Sequence, residues 1–202
     1  AYEIGSGLVG SEMCIRDMDG GHHITGLTDV KLTVRAGEIV GIAGISGNGQ
    51  SRLLGVCMGE LKQTKGSVKL FGEVVDDLDP AQRRAKGLRY VPEQRLGHGS
   101  VPEFSLINNT LLTGDDFHSH GFIKQEEAEK FTDLVIERFH VKPEAPKAAA
   151  RSFSGGNLQK FIVGREILSS PGVLIIDQPT WGVDVGAATV IHNSLMRLRS
   201  EG

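Results

Sequence analysis

The sequence predicts an α/β fold, a mixed sheet flanked by helices and interrupted by a helical insert near residues 104–165. Three observations predict it. Short apolar runs of strand length alternate with stretches of helical period along most of the chain. A glycine-rich loop, GISGNGQS at Gly44–Ser51, follows one such run and precedes a helical pattern. A second apolar run, Val173 to Ile176, ends in an acidic residue, Asp177.

Residues 1–17, AYEIGSGLVGSEMCIRD, fit no period, and Met13-Cys14-Ile15 is too short to be the core of a signal peptide. Two readings stand for this segment: sequence that is not native to the protein, or a linker from a preceding domain. Neither contributes to the expected fold, which is assigned to residues 18–202. Val30, Leu32 and Val34 alternate with polar residues as a half-buried strand does. Arg35-Ala36-Gly37-Glu38 reads as a turn, and Ile39 to Ala43 as a short strand entering the glycine loop. A helix is expected from about Gln50 and a strand at Ser67–Leu70. Asp79-Pro80 marks a helix start, with a capping carboxylate and proline at the first helical position.

Leu88–Val91 reads as a strand that ends at Pro92. In 125–140, Ala128, Phe131, Leu134, Val135 and Phe139 recur at helical spacing and predict one buried face, while the charged run 125–130 reads as a solvated face. A Pro/Ala-rich connection covers 141–150. Ser154 then precedes a helix from about Gly156 to Leu168, followed by the strand to Ile176 and a last helix from about Ala187.

Composition sets wider bounds. The chain has 202 residues, enough for one large or two small domains. Hydrophobic content of 39% and charged content of 23% describe an ordinary globular protein. A net charge of −3 and a pI near 6.2 give no sign of a nucleic-acid partner. Cys14 and Cys57 form neither a disulfide framework nor a metal pattern. No apolar run is long enough to span a bilayer. His98, His118, His120 and His140 lack ligand spacing and read as exposed structural residues.

Four sites carry chemistry. The general phosphate-loop pattern is G-x-x-x-x-G-K-S/T: glycines let backbone N–H groups close around phosphates, the lysine reaches the outer phosphates, and the hydroxyl binds Mg²⁺. Gly44, Gly49 and Ser51 fit, with Ser46, Gly47 and Asn48 between them, but Gln50 fills the lysine slot. Pro92-Glu93-Gln94-Arg95 follows a strand. FSGGNLQK, Phe153–Lys160, opens a helix. VLIIDQPTWGVDVGA, Val173–Ala187, contains Asp177, which suits the Mg²⁺-holding carboxylate at the end of a strand.

In this order the motifs resemble those of ATP-binding-cassette (ABC) transporter ATPases, a P-loop NTPase family, over residues 18–202. SGGNLQK is similar to the family's signature loop in the variant found in importers of simple sugars and nucleosides. IIDQPTWGVDVGA resembles the second cassette of importers that carry two cassettes in one polypeptide. GNGQS is most similar to the nucleoside-importer branch. The resemblance stops before the family's switch histidine and closing strands, so the domain reads as C-terminally truncated. It implies ATP and Mg²⁺ as cofactors, with Ser51, Asp177 and Glu93 toward the metal and Gly44–Ser51 toward nucleotide.

It also implies a head-to-tail pairing in which Ser154, Gly155, Gly156 and Asn157 close over nucleotide held by another cassette. Transmembrane permease subunits would be direct partners and a substrate-binding protein an indirect one, at the cytoplasmic face of the plasma membrane. Three positions depart from the family pattern. Gln50 carries no charge. Gln178 stands where the hydrolytic glutamate is expected, and an amide can orient water without accepting its proton. Glu93 replaces the usual glutamine, as in this importer class.

No aromatic ring stands near Gly21–His23, where the family often stacks adenine; His22 or His23 is the remaining candidate. Asp184 has two readings, a helix cap or the family's dimer contact. Trp181, where these importers often have arginine, is expected to pack partly buried. The implied function is ATP-driven import with this half's own site degenerate. The alternatives are a non-hydrolysing ATP-binding dimerisation module, a soluble cassette of DNA repair or translation, and an incomplete fragment.

Overall fold

The computed structural model describes residues 27, 29–119, 121–142 and 147–201, together with the backbone of 6–18. Gly21–His23 and His120 lie outside the described residues. The chain divides into two compact units. One holds the described residues up to Tyr90, with Pro171–Asp177 and the segment from Met196 onward; the other holds Val91–Ser170 and Gln178–Leu195.

The first unit is a six-stranded sheet with helix α1 (Gln50–Met58). Strand β1 (Ser6–Met18) pairs antiparallel with β2 (Val30–Gly41). It pairs antiparallel with β8 (Val173–Asp177) through Ser6–Gly10 and with β3 (Ser67–Leu70) through Met13–Arg16. The segment set aside from the expected fold therefore supplies a strand in register with three others. β4 (Glu73–Val74) pairs with β3, and β5 (Leu88–Val91) neighbours β8.

The turn expected at 35–38 is instead a bulge inside one continuous strand. The β1–β2 register shifts between Gly10↔Glu38 and Glu12↔Arg35, leaving Ala36 and Gly37 opposite Ser11. Gly37 takes φ +67, and the Glu38 carboxylate accepts from Arg35 N–H at 2.8 Å. One extra residue is absorbed locally and pairing resumes beyond it.

The β3–β4 hairpin turns on Phe71 and Gly72, at φ +52 and +80, the two left-handed positions of a type I′ turn. Phe71 is a costly residue there, but its ring packs against Gly172, where a Cβ would collide with it. α2 (Pro80–Ala85) starts as expected, with a reciprocal capping box between Asp79 and Gln82. The core gathers Val34, Leu53, Leu54, Val56, Val68, Leu70, Leu88 and Ile175. Each such buried side chain contributes about 1.5–3 kcal/mol.

A cation sits at the edge of this core. Arg83 is buried and donates to the carbonyls of Val56, Cys57, Val75 and Leu78. Two of these are among the last carbonyls of α1, where a positive charge suits the helix dipole.

The second unit is mostly helical: α3 (Leu106–Thr113), α4 (Gln125–Arg138), α5 (Gly155–Leu168) and the first part of α6 (Val185–Glu201). A small hairpin, β6 (His118–Ser119) with β7 (Phe122–Ile123), precedes α4. The buried face of α4 differs from the expected one. Ala128, Val135 and Phe139 are buried, but so is Thr132, whose hydroxyl shares a 2.8 Å hydrogen bond with Thr110, while Leu134 is exposed. The pairing lets a polar residue take a core position that hydropathy alone assigns to leucine. α4 packs on α5 at Gly164, where a Cβ would strike the Phe139 ring.

On α5, the buried Arg165 pairs with Glu166 at 2.9 Å and donates to the carbonyls of Asn109 and Gly99. Asn109 itself bonds Val101, Phe104 and Ser105 backbone groups. The loop that precedes α3 is thus held by side-chain bonds together with backbone bonds from Ala150 and Arg151 to Phe104 and Pro102.

Candidate functional site

In the first unit, Gly44–Ser51 forms an exposed arch between β2 and α1. Gly47 and Gly49 take φ +91 and +102, which a side chain resists. Asn48 N–H donates to Ile45 C=O at 3.1 Å, closing a tight turn. Helix α1 then begins at Gln50 with no side-chain cap and no acidic residue in its first turn. Elsewhere Asp79, Ser105 and Ser154 cap α2, α3 and α5. An uncapped helix start behind a glycine arch fits a phosphate group.

Gln50 folds back over this arch. Its amide donates to Ile45 C=O at 3.2 Å, and a Cβ on Gly44 would overlap the amide nitrogen. The bond can be traded for one to a phosphate oxygen, but without the charge that strengthens it.

Asp177 is buried at the C-terminal end of β8. Gly7 of β1 lies opposite both Gly41 and Ile176, so β2 and β8 run parallel on either side of β1. The phosphate loop and Asp177 therefore leave the same end of the sheet, about 10 Å apart across two strand spacings. Ser51 and Asp177 offer a hydroxyl and a carboxylate, hard oxygen donors of the kind Mg²⁺ takes beside phosphate. Among the described residues no group of three or more His, Cys, Asp or Glu side chains gathers as a metal cluster.

The second unit carries the remaining candidates. Ser154 caps α5, its hydroxyl accepting from Asn157 N–H at 3.4 Å, while the Asn157 side chain accepts from Lys142 N–H at 3.2 Å. Ser154 and Gly155 are exposed. Glu93 is exposed in the turn after β5. Gln178 stands at φ +46, a left-handed conformation that costs a residue with a side chain about 1–2 kcal/mol. Its carbonyl accepts from Trp181 N–H at 3.1 Å, which folds the loop after Asp177 into a turn.

Trp181 corrects the sequence expectation: it is 62% exposed. It lines a cavity of about 510 Å³ together with Glu93, Arg95, Phe153, Gly155 and Leu158. Its backbone is hydrogen-bonded at both N–H and C=O. Asp184 accepts from Ala187 N–H at 2.8 Å, and this bond, ahead of nearby Lys160, holds its carboxyl below the usual range. The capping reading thus accounts for Asp184 locally, although its carboxylate also lies 3.9 Å from a Cβ position on Gly156. Lys160 Nζ donates to His140 C=O at 2.6 Å.

Comparison with known proteins gives the family. The family model described as "ABC transporter" matches residues 27–181. The chain belongs to the ABC transporter family. This cassette is 38% identical over 177 residues to a guanosine import ATP-binding protein of Bacillus subtilis, covering 86% of the chain and 35% of that protein. It is 37% identical over 194 residues to a nucleoside import ATP-binding protein of Lactococcus lactis, covering 95% and 38% respectively. The chain thus spans little more than a third of the length of these relatives.

Among solved structures, a dimeric bacterial ABC transporter cassette superposes with TM-score 0.79 at 24% identity, covering 94% of this chain and 83% of that one. The same cassette as a dimer in a post-hydrolysis state, bound to ADP and Pi, gives 0.78 at 23% identity. Both show the fold, the α/β architecture of P-loop NTPases.

Two residues that brace the loops around the site escaped the sequence reading. Arg95 was read only as the end of a motif and Gln159 only as part of another. Nothing local marks them: Arg95 and Gln159 stand in separate motifs 64 residues apart, and the room left for the guanidinium at Gly155 and Gly182 shows only in the folded loops.

Proposed function

We propose that this cassette is the ATP-binding part of an ABC importer, coupling binding and hydrolysis of ATP to uptake of nucleosides or simple sugars. The observation that carries the reading is the Gly44–Ser51 arch, with its left-handed glycines and uncapped α1, at the same end of the sheet as Asp177. Backbone N–H groups of Gly47–Ser51 would cradle the phosphates, with Ser46 and Asn48 shaping the arch. Ser51, Asp177 and Glu93 would hold Mg²⁺, which supplies positive charge to the phosphate oxygens when bound.

Gln178 would orient water near the outer phosphate without deprotonating it. Gln50 removes one charged donor, a loss of about 1.5–3 kcal/mol. This half's own site is therefore the degenerate one. Ser154, Gly155, Gly156 and Asn157 would complete the competent site on a second cassette, where Ser154 and the α5 amides face an anion. The names of the curated relatives, nucleoside and sugar import ATP-binding proteins, support the cargo class. Their greater length leaves room for a second cassette in the same polypeptide. Permease subunits would be the direct partners, a substrate-binding protein an indirect one, and the cytoplasmic membrane face the location. No helix among the described residues is long and apolar enough to cross a membrane.

Gln50 and Gln178 favour a second reading, in which the cassette binds ATP to hold a dimer without hydrolysing it anywhere. ATPase rates of the chain alone and mixed with a hydrolysis-competent cassette separate the two. Activity that appears only in the mixture, above that of the competent cassette alone, supports import driven by a composite site. No stimulation in the mixture supports the dimerisation module.

A further inference from the structure

We propose that Arg95 is a positioning residue that links the Glu93 turn to the signature loop and to the loop after Asp177, so that the three move as one. The inference deepens the proposed function and rests on nucleotide being sensed by Glu93 and Gln178. All the groups involved lie in the second unit.

Arg95 follows Glu93 by two residues, and its guanidinium makes two kinds of bond. Nε donates to Gln159 Oε1 at 3.0 Å, on the second turn of α5, and one terminal nitrogen donates to the Trp181 carbonyl. Gln159, buried at 1% exposure, donates onward to Pro179 C=O at 3.1 Å. The loop after Asp177 is therefore gripped at two carbonyls, one by Arg95 and one by the glutamine that Arg95 orients.

Glycine at both positions facing the guanidinium leaves it room. A Cβ on Gly155 would lie 2.5 Å from one terminal nitrogen, and a Cβ on Gly182 would lie 3.3 Å from the other. Gly155 belongs to the signature loop, and Gly182 belongs to the loop carrying Gln178.

The chemistry of the joint favours transmission over simple stability. Arg95 donates to neutral amide-type oxygens, and no carboxylate among the described residues forms an ion pair with it. Partial burial holds the guanidinium's pKa below its usual value. A planar fork reaches acceptors on two different elements at once, which an ammonium on a flexible stem does not. Displacing the Glu93 turn therefore pulls on α5 at Gln159 and on the 178–182 loop at Trp181. Trp181 is the chain's one tryptophan, and its indole stands in the joint as a reporter.

The test is a titration of the full chain with Mg·ATP, read both by calorimetry and by Trp181 emission, in wild type, Arg95→Ala and Arg95→Lys. The proposal expects a saturable emission change in wild type. Both variants should bind within about twofold of wild type yet lose most of the emission amplitude. Lysine keeps the stem and the charge, so a fold defect confined to alanine is separated from loss of the fork. Wild-type binding without an emission change, or full amplitude retained in Arg95→Lys, overturns the proposal. Absence of binding heat in wild type overturns instead the reading on which it rests.

Discussion

The phosphate loop and the signature loop are both glycine-rich helix starts, yet they are finished differently. At Gly44–Ser51 the helix start is left without a side-chain cap, and the one side chain in the cation slot, Gln50, bonds to the loop's own Ile45 carbonyl. At Ser154–Asn157 the cap is complete, and the loop is braced from outside by Arg95 and by Lys142 N–H on Asn157. The first is shaped by backbone turns and one neutral side chain, Gln50; the second is fixed by several side chains. Under the proposed function, that contrast assigns Ser154–Asn157 to a partner's site and leaves Gly44–Ser51 as the weaker one.

The sharpest way to break this comparison is at the signature loop. Ser154→Arg places a bulky cation over the exposed α5 start, and stimulation of a hydrolysis-competent cassette should fall by about a hundredfold or more. Retained stimulation in an ATPase assay would remove the signature loop from the account. Asp177→Asn is next. It removes a buried carboxylate at the end of β8, and Mg·ATP affinity by calorimetry should weaken about ten- to a hundredfold, with little change for ATP without Mg²⁺. Equal losses with and without the metal would point to damaged packing instead.

Gln50→Lys runs in the opposite direction. Restoring a charged donor should tighten Mg·ATP binding about tenfold, with the salt sensitivity expected of a charge-assisted bond.

The smallest effect concerns the thiol behind the phosphate loop. Burial pushes the Cys57 pKa up to about 12, against the opposing pull of Arg83. The folded thiol keeps its proton while an unfolded one loses it. This contribution to stability is therefore whole below the ordinary thiol value and is lost as pH rises from there toward 12. A thiol reagent at pH 8 should leave Cys57 unmodified until denaturant is added.

Much of this contrast was legible in the residues. Glycines flanked by an apolar strand and a helical pattern announced the phosphate loop, because left-handed turns and close backbone approach leave few other choices. Asp79-Pro80 and Ser154 announced helix starts because capping is a local interaction. What was not legible depends on distant partners. The residues of β1 have no periodicity of their own, and their strand state follows from pairing with β2, β3 and β8.

Thr132 became a core residue only through Thr110, 22 positions away, and Phe71 could take a left-handed turn position because Gly172 makes room for its ring. Trp181 looked like a packing residue by type, but its backbone, not its ring, is what the loop uses. The joint at Arg95 was invisible for the same reason, since its partners lie 64 and 86 residues away.

The most direct test is calorimetry of the folded chain with Mg·ATP, alone and with a hydrolysis-competent cassette. The account predicts binding heat in both cases, weak for the chain alone because Gln50 lacks charge. It also predicts one additional, tighter site in the mixture that Ser154→Arg abolishes. No heat in either experiment, or a mixture equal to the sum of its parts, would contradict it.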